Sequence, residues 1–145
     1  MILSLDSNVL IDLMRGAKPH VRLHLEEAAA SGAQLKVSAI VVQELVLGAH
    51  LSARPDHQLE LLGRTLGWFE VEPWSSDDAI VTGRLRSEME RQFGRIGAYD
   101  TLIAGQALAR GWSLVTADVK DFARVQGLHI LDWSNPAGSV EFGRP

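Results

Sequence analysis

Short apolar segments alternate with longer segments of helical character along the chain. Strands that alternate with helices form parallel sheets whose faces the helices cover. The pattern therefore predicts one α/β domain with a central, mostly parallel sheet of about five strands flanked by helices. The predicted strands are Ile2–Leu5, Leu35–Val37, Trp68–Val71, Ser113–Thr116 and His129–Leu131.

Residues that favour helix ends mark the boundaries of the predicted helices. Asp6, Asp56 and Ser75 are suited to N-caps, and Pro19 is suited to a first helical position. We expect helices over 9–14, 19–30, 40–49, 56–66, 75–93 and 99–110, and a helical turn over 121–125. We assign the domain to residues 1–133 and expect a loosely held C-terminal tail over 134–145.

Composition limits the classes of protein to which the chain can belong. Its 145 residues are 46% hydrophobic and 22% charged and contain no cysteine, which excludes intrinsic disorder, a disulfide scaffold and a thiolate metal site. No apolar run approaches the about 20 residues of a membrane span, and no signal peptide is evident, so we expect a cytoplasmic protein without a membrane partner. The net charge of −4 argues against a general electrostatic binder of nucleic acid, although 11 of the 14 basic residues are arginine.

Acidic residues occur where predicted strands end or where the following helices begin. Asp6 follows the first strand, Glu44 lies in the helix after the second, Asp100 lies in a first helical turn, and Asp118 follows the fourth strand with Asp121 three residues later. The carboxyl ends of parallel strands meet at one edge of the sheet, and carboxylates that converge there repel each other unless a cation compensates them. In a chain without cysteine or an HExxH motif, such oxygen ligands indicate Mg²⁺ or Mn²⁺.

Each acid also has a purely structural interpretation. An Asp after a strand commonly caps the next helix, and Asp100 in a first turn is favoured by the helix dipole alone. Glu44 could be a solvated helix residue, although its neighbours on both sides are apolar. Each structural interpretation is sufficient for one residue, but the four positions together favour a metal site.

Four segments contain these acids, and they read LDSNVLID from Leu5, SAIVVQEL from Ser38, IGAYDTLIA from Ile96 and VTADVKDF from Val115. In this order the four segments resemble the motifs of the PIN-domain nucleases. The resemblance covers residues 2–133 and is strongest to the VapC-type toxins of bacterial toxin–antitoxin pairs, including their FitB-like relatives. It implies a PIN-like fold, a metal-dependent endoribonuclease that cleaves RNA phosphodiester bonds, a cognate antitoxin that neutralises it, and a homodimer.

The resemblance also implies roles for individual residues. Many relatives have Asn where this chain has Asp118, and the acid three residues later is retained as Asp121, so either of the two can complete a carboxylate quartet. Independently of the resemblance, Asn8 or Thr116 would orient ligands or water from behind the carboxylates. The residues expected to hold Mg²⁺ or Mn²⁺ and to catalyse cleavage are Asp6, Glu44, Asp100, Asp118 and Asp121.

Two surface features have open interpretations. One face of the predicted long helix and the residues just after it carry three arginines, Arg84, Arg91 and Arg95. They form either a strip that contacts RNA phosphates or a solvated face balanced by Glu88 and Glu90. Eight apolar residues are more than a small core evidently requires. They would pack in the core, line a groove for the antitoxin or form a dimer face. These residues are Leu23, Leu25, Leu45, Leu47, Leu51, Leu61, Leu62 and Trp68.

Other functional classes fit the sequence less well. A response-regulator receiver domain needs a phosphorylatable Asp after its middle strand, and the segment Glu70–Pro73 does not supply one. The chain contains no GxxxxGK[ST], GxGxxG or GxSxG motif, which excludes the common nucleotide-binding and serine-hydrolase signatures. A PIN-like domain that binds RNA or protein without cutting stays the main alternative.

Overall fold

The computed structural model describes residues 1–95, 97–136 and 140–143, which form six strands and seven helices. In chain order the elements are β1 (Ile2–Leu5), α1 (Ser7–Arg15), α2 (Pro19–Ala30), β2 (Gln34–Ser38), α3 (Ala39–Leu51), α4 (Pro55–Leu66), β3 (Glu70–Glu72), α5 (Ser76–Phe93), α6 (Ala98–Arg110), β4 (Ser113–Val115), α7 (Val119–Phe122), β5 (Ile130–Asp132) and β6 (Val140–Phe142). The predicted α/β class is confirmed.

Strand β1 lies inside a sheet whose strand order is β3-β2-β1-β4-β5-β6. Strands β1 to β5 are parallel, and β6 is antiparallel to β5. The chain adds β2 and β3 on one side of β1 and then places β4 on the other, so the order reverses between β1 and β4. Ligands of open α/β sheets bind beyond the carboxyl ends of the strands at such a reversal. The pairing of Leu5 with Val115 brings Asp6 beside Thr116 at this edge.

The observed strands differ from the predicted ones most clearly at the third strand and near the C-terminus. The third strand begins at Glu70 rather than at Trp68, because the backbone N–H groups of Trp68 and Phe69 donate to carbonyls of the preceding helix end. The sheet has a sixth strand because Val140–Phe142, in the segment expected to be loosely held, pairs with β5. The assignment of residues 134–145 as a tail outside the domain stays a prediction.

The predicted N-caps can be compared with the observed helix starts. Asp6 caps α1 by accepting a hydrogen bond from the Ser7 N–H, and Ser75 forms a reciprocal capping box with Asp78 at the start of α5. Asp56 is not a cap, because α4 begins one residue earlier, at Pro55. Proline has no N–H to satisfy and therefore takes a first helical position readily.

The hydrophobic core packs around the central strands. Strand β4 is buried along its whole length, and β1 is buried from its second residue onward. Three of the eight apolar residues singled out in the sequence, Leu25, Leu45 and Leu62, belong to this core. Within the part of the chain that the structure describes, no helix is both long and apolar enough to cross a lipid bilayer.

Helices α5 and α6 pack closely where Gly105 faces Thr82. A Cβ atom at position 105 would lie 1.8 Å from Thr82 Oγ1 and 2.9 Å from Thr82 Cα, so neither helix could keep its place. We therefore expect Gly105→Ala to lower the free energy of unfolding by about 2 kcal/mol through overpacking, as measured by urea denaturation.

Gly83→Ala is the matched control for this overpacking. Gly83 is next to Thr82 in α5, but a Cβ atom there would meet no other atom within 4 Å. Alanine should stabilise this exposed helical position by about 0.5–1 kcal/mol. A Gly105→Ala protein that unfolds at the wild-type urea concentration would contradict the close packing of α5 on α6.

Candidate metal centre

Asp6 occupies the carboxyl end of β1 and is almost completely buried. Its carboxylate accepts hydrogen bonds from the Ser7 N–H at 2.8 Å, from Asn8 Nδ2 at 3.3 Å and from Thr116 Oγ1 at 2.9 Å. All three donors are neutral, so within the described residues they leave the negative charge of the carboxylate without a cationic partner. Asp6 can therefore cap α1 and also take part in a metal site.

Asn8 and Thr116 connect the two central strand ends around Asp6. Asn8 Oδ1 accepts from the Ala117 N–H at 3.3 Å, and Thr116 Oγ1 accepts from the Asp118 N–H at 3.0 Å. Each side chain therefore donates to the Asp6 carboxylate and accepts from the loop that follows β4. This arrangement holds that loop, and with it Asp118, beside Asp6.

Asp100, Asp118 and Asp121 come together on the same side of the site. Each offers one carboxylate oxygen, and these oxygens all lie within 4.8 Å of one another. Asp100 is in the first turn of α6, Asp118 precedes α7, and Asp121 lies within α7. The Asp118 side chain forms no capping hydrogen bond with α7, so the structural interpretation does not apply to it. Both candidates for the fourth carboxylate are thus present in one group.

Glu44 and Asp6 lie outside this group of three but interact with it electrostatically. Glu44 is half-buried on α3. Its charge acts on Asp6, and that of Asp100 acts on Glu44. The structure therefore brings all five predicted acids to one edge of the sheet, with Asp100, Asp118 and Asp121 nearest to each other.

Burial and mutual repulsion make this concentration of negative charge unfavourable. Burial, followed by the charges of Asp6, Asp118 and Asp121, raises the pKa of Asp100 to about 6. Burial also raises the pKa of Asp6, even though the hydrogen bonds from Thr116 and Ser7 oppose it. The pKa of Glu44 is raised as well, chiefly by burial. A cation bound among these groups would relieve the repulsion.

The three predicted arginines have different surroundings. The exposed Arg84 makes an ion pair with Glu88 at 3.1 Å, as the solvated-face interpretation requires. Arg91 is exposed on α5, whereas Arg95 lines a pocket together with Asp100 and Asp121.

Arg124 was not among the predicted site residues, although it lines the same pocket as Arg95. The signal was its position three residues after Asp121, because residues three apart in a helical turn share a face. The Arg124 N–H also donates to the Asp121 carbonyl, which continues the turn begun by α7.

The remaining apolar residues of the predicted surplus lie at the surface. Leu47 and Leu51 project from α3, and Leu23 projects from α2, all more than half exposed. Trp68, 45% exposed, and the half-buried Leu61 line a groove with Leu13, Met14 and Leu25. A surface groove lined by several apolar side chains is typical of protein–protein contacts.

The profile of the PIN domain family matches residues 3–128. The match covers most of the chain and all five acids, so the chain belongs to the PIN domain family. The resemblance inferred from the four motifs is thereby confirmed, and the receiver-domain alternative is excluded.

Within this family, the chain is similar in sequence or structure to several named proteins. The chain is 33% identical to the tRNA(fMet)-specific endonuclease VapC of Salmonella typhimurium over 129 residues, 89% of this chain and 96% of that protein. It also superimposes on VapBC2 from Rickettsia felis, whose structure was solved bound to a DNA fragment from its promoter. The TM-score is 0.87 at 29% identity, and the match covers 92% of this chain and 99% of that one. For FitAcB from Neisseria gonorrhoeae the TM-score is 0.77 at 26% identity, and the match covers 94% of this chain and 99% of that one.

Proposed function

We propose that this protein is an endoribonuclease toxin that hydrolyses RNA phosphodiester bonds with the help of Mg²⁺ or Mn²⁺. The observation that carries the proposal is the group formed by Asp100, Asp118 and Asp121, whose oxygens lie within 4.8 Å of one another in a PIN domain. The proposal is also supported by the similarity of the chain to the VapC endonuclease of Salmonella typhimurium, which extends over nearly the whole length of that protein.

The donor set of the site fits a hard divalent cation. All of its candidate ligands are carboxylates, and Mg²⁺ and Mn²⁺ prefer oxygen ligands. Asp6, Glu44 and Asp100 would hold the ion together with a fourth carboxylate, which is Asp118 or Asp121. When bound, the ion would activate a water molecule and stabilise negative charge on the phosphoryl oxygens.

The protein's own side chains have distinct tasks in this proposal. Thr116 and Asn8 hold the Asp6 carboxylate in one orientation through hydrogen bonds of 2.9 and 3.3 Å. Asp121 is the exposed member of the group of three, so its carboxylate can accept a proton from the attacking water and release it to solvent.

We also propose a cognate antitoxin and a homodimer as partners. The support is the similarity to VapBC2 and FitAcB together with the exposed apolar residues Leu23, Leu47, Leu51 and Trp68. Such a toxin would act in the cytoplasm, where RNA is present.

The metal requirement predicts stabilisation by Mn²⁺. An ion that binds only the folded state at ten times its dissociation constant adds about 1.4 kcal/mol to the free energy of unfolding. Thermal unfolding with and without Mn²⁺, combined with calorimetric titration, measures this effect. The same titrations of Asp118→Asn and Asp121→Asn identify which of the two completes the quartet, because that variant loses the larger part of the stabilisation.

Asp56→Asn is the matched control for the Mn²⁺ titration. It removes one carboxylate from the first turn of α4, away from the site, and should keep the full effect of Mn²⁺. If the wild-type protein shows neither binding heat nor a thermal shift, the proposed metal site is wrong.

A further inference from the structure

A small pocket of about 200 Å³ adjoins the group of three acids and has a mixed charge. Asp100 and Asp121 line one part of it, and Arg95 and Arg124 line another. Arg95 follows the end of α5, and Arg124 follows α7, so two separate chain segments bring these cations to the site. The mixed pocket therefore extends the acidic site toward a region of positive charge.

The Arg124 guanidinium is positioned without the use of its hydrogen-bond donors. Its central carbon lies 5.3 Å from the centre of the Phe93 ring, at the end of α5. A cation–π contact of this kind orients a guanidinium while leaving its N–H groups available. None of the ion pairs within the described residues involves Arg95 or Arg124. Both guanidinium groups can therefore donate to a ligand.

We propose that Arg95 and Arg124 form a phosphate subsite for the nucleotide next to the bond that is cut. This inference rests on the proposed ribonuclease function and adds a substrate contact to it. Guanidinium groups bind phosphate oxygens through paired, charge-assisted hydrogen bonds. A strand whose scissile phosphate lies at Asp100 and Asp121 has its neighbouring phosphate within reach of this pocket, because both acids line it.

Charge explains why the subsite is needed. The protein carries a net charge of −4, so an RNA strand that approaches the site meets a repulsive field. A divalent ion compensates the carboxylates and the scissile phosphate, but the neighbouring phosphate needs a counter-charge of its own. The two arginines place that charge locally, which reconciles RNA binding with an acidic composition.

The salt dependence of RNA binding tests this subsite directly. Binding of a fluorescent single-stranded RNA would be measured by anisotropy over a range of KCl concentrations, with EDTA present so that no strand is cut. Each phosphate contact contributes about 0.7 to the slope of log K against log salt for single strands. Arg95→Ala and Arg124→Ala should each reduce the slope by about 0.7, and the double variant by about 1.4.

Two further variants separate charge from structure. Arg124→Lys keeps the charge and should keep the wild-type slope. Arg22→Ala removes an exposed arginine that pairs with Glu26 on α2, outside the pocket, and should also leave the slope unchanged. A slope reduced equally in Arg124→Lys would show a folding effect and overturn the subsite.

The outcomes distinguish the subsite from the proposed function. Wild-type slopes in both alanine variants overturn the subsite, even if the protein cuts RNA. A wild-type protein that cuts no RNA in Mn²⁺ overturns the ribonuclease proposal, whereas reduced slopes in the same protein would still support the phosphate contacts.

Discussion

Asp100→Asn is expected to reduce RNA cleavage by about two or more orders of magnitude, which corresponds to roughly 3 kcal/mol of transition-state stabilisation. The substitution keeps the size of the side chain and its position in the first turn of α6. It removes one negative charge from the group whose oxygens lie within 4.8 Å of one another. Single-turnover cleavage of a labelled RNA in Mn²⁺ measures the loss.

The same variant should be at least as stable as the wild type when no metal is present. The pKa of Asp100 is raised from 3.8 to about 6 in the folded protein, so the folded state binds more protons than the unfolded chain between these values. Metal-free wild-type protein should therefore lose stability as the pH rises from about 4 to about 6. Asp100→Asn lacks this titration, and its urea midpoint should change less over that range.

Asp77→Asn is the matched control for the Asp100 experiment. Asp77 also lies in the first turn of a helix, α5, but is exposed and is not part of the acidic site. It should cut RNA at the wild-type rate. In cells, expression of the wild-type protein should arrest growth, and Asp100→Asn should not.

Two results would contradict the role of Asp100. Wild-type cleavage by a destabilised Asp100→Asn would mean that the residue serves only the helix dipole. If the folded, metal-loaded wild-type protein cuts no RNA, the chain is a non-catalytic PIN-like binding module.

The fold was largely predictable because its signals are local. Apolar runs and helix-end residues such as Pro19 and Ser75 lie at or next to the observed boundaries. Strand β6 was not predictable, because Val140–Phe142 gains its conformation from pairing with β5 rather than from a long apolar run. A short edge strand is specified by its partner more than by its own sequence.

The acidic site was predictable to the level of residues but not of contacts. Strand ends and PIN-like motifs pointed to five acids, and the parallel topology explains why they converge. Helical spacing alone grouped Arg84 with Arg95, although only Arg95 reaches the acidic site. The spacing of arginines along α5 gives no information about Arg124, which reaches the pocket from another segment and is indicated only by its position three residues after Asp121.

A buried ion pair between Asp78 and Arg110 has the largest expected effect on stability. The Asp78 side chain is fully buried and accepts from Arg110 Nε at 3.0 Å and Nη2 at 2.8 Å. Arg110 also donates to Glu72 at 3.2 Å, so the pair joins α5 and α6 to β3. Burial alone would raise the pKa of Asp78, but the hydrogen bonds from Arg110 and Ser75 outweigh it and keep that pKa below its usual value.

Asp78→Ala is expected to lower the free energy of unfolding by about 3 kcal/mol, because it leaves the largely buried Arg110 guanidinium without its bidentate partner and with Glu72 as the remaining carboxylate. This loss of free energy is at the lower end of the range usual for a broken buried ion pair, because the Arg110 side chain is 27% exposed. Urea denaturation near neutral pH measures the loss. Because the folded pKa of Asp78 is lowered, the wild-type advantage is present above the unfolded value of 3.8 and should disappear as the pH falls through the folded value.

Neighbouring and double variants decide whether the Asp78 loss comes from an unpaired charge. Asp77→Ala, on the exposed side of the same turn, should cost only about 0.3–1 kcal/mol through the helix dipole. Asp78→Ala combined with Arg110→Met should lose less than the sum of the single variants, because the stranded cation is gone. Strictly additive losses would contradict the pairing. Asp78 and Arg110 lie at the opposite end of α6 from Asp100, so each variant that remains folded should bind Mn²⁺ like the wild type.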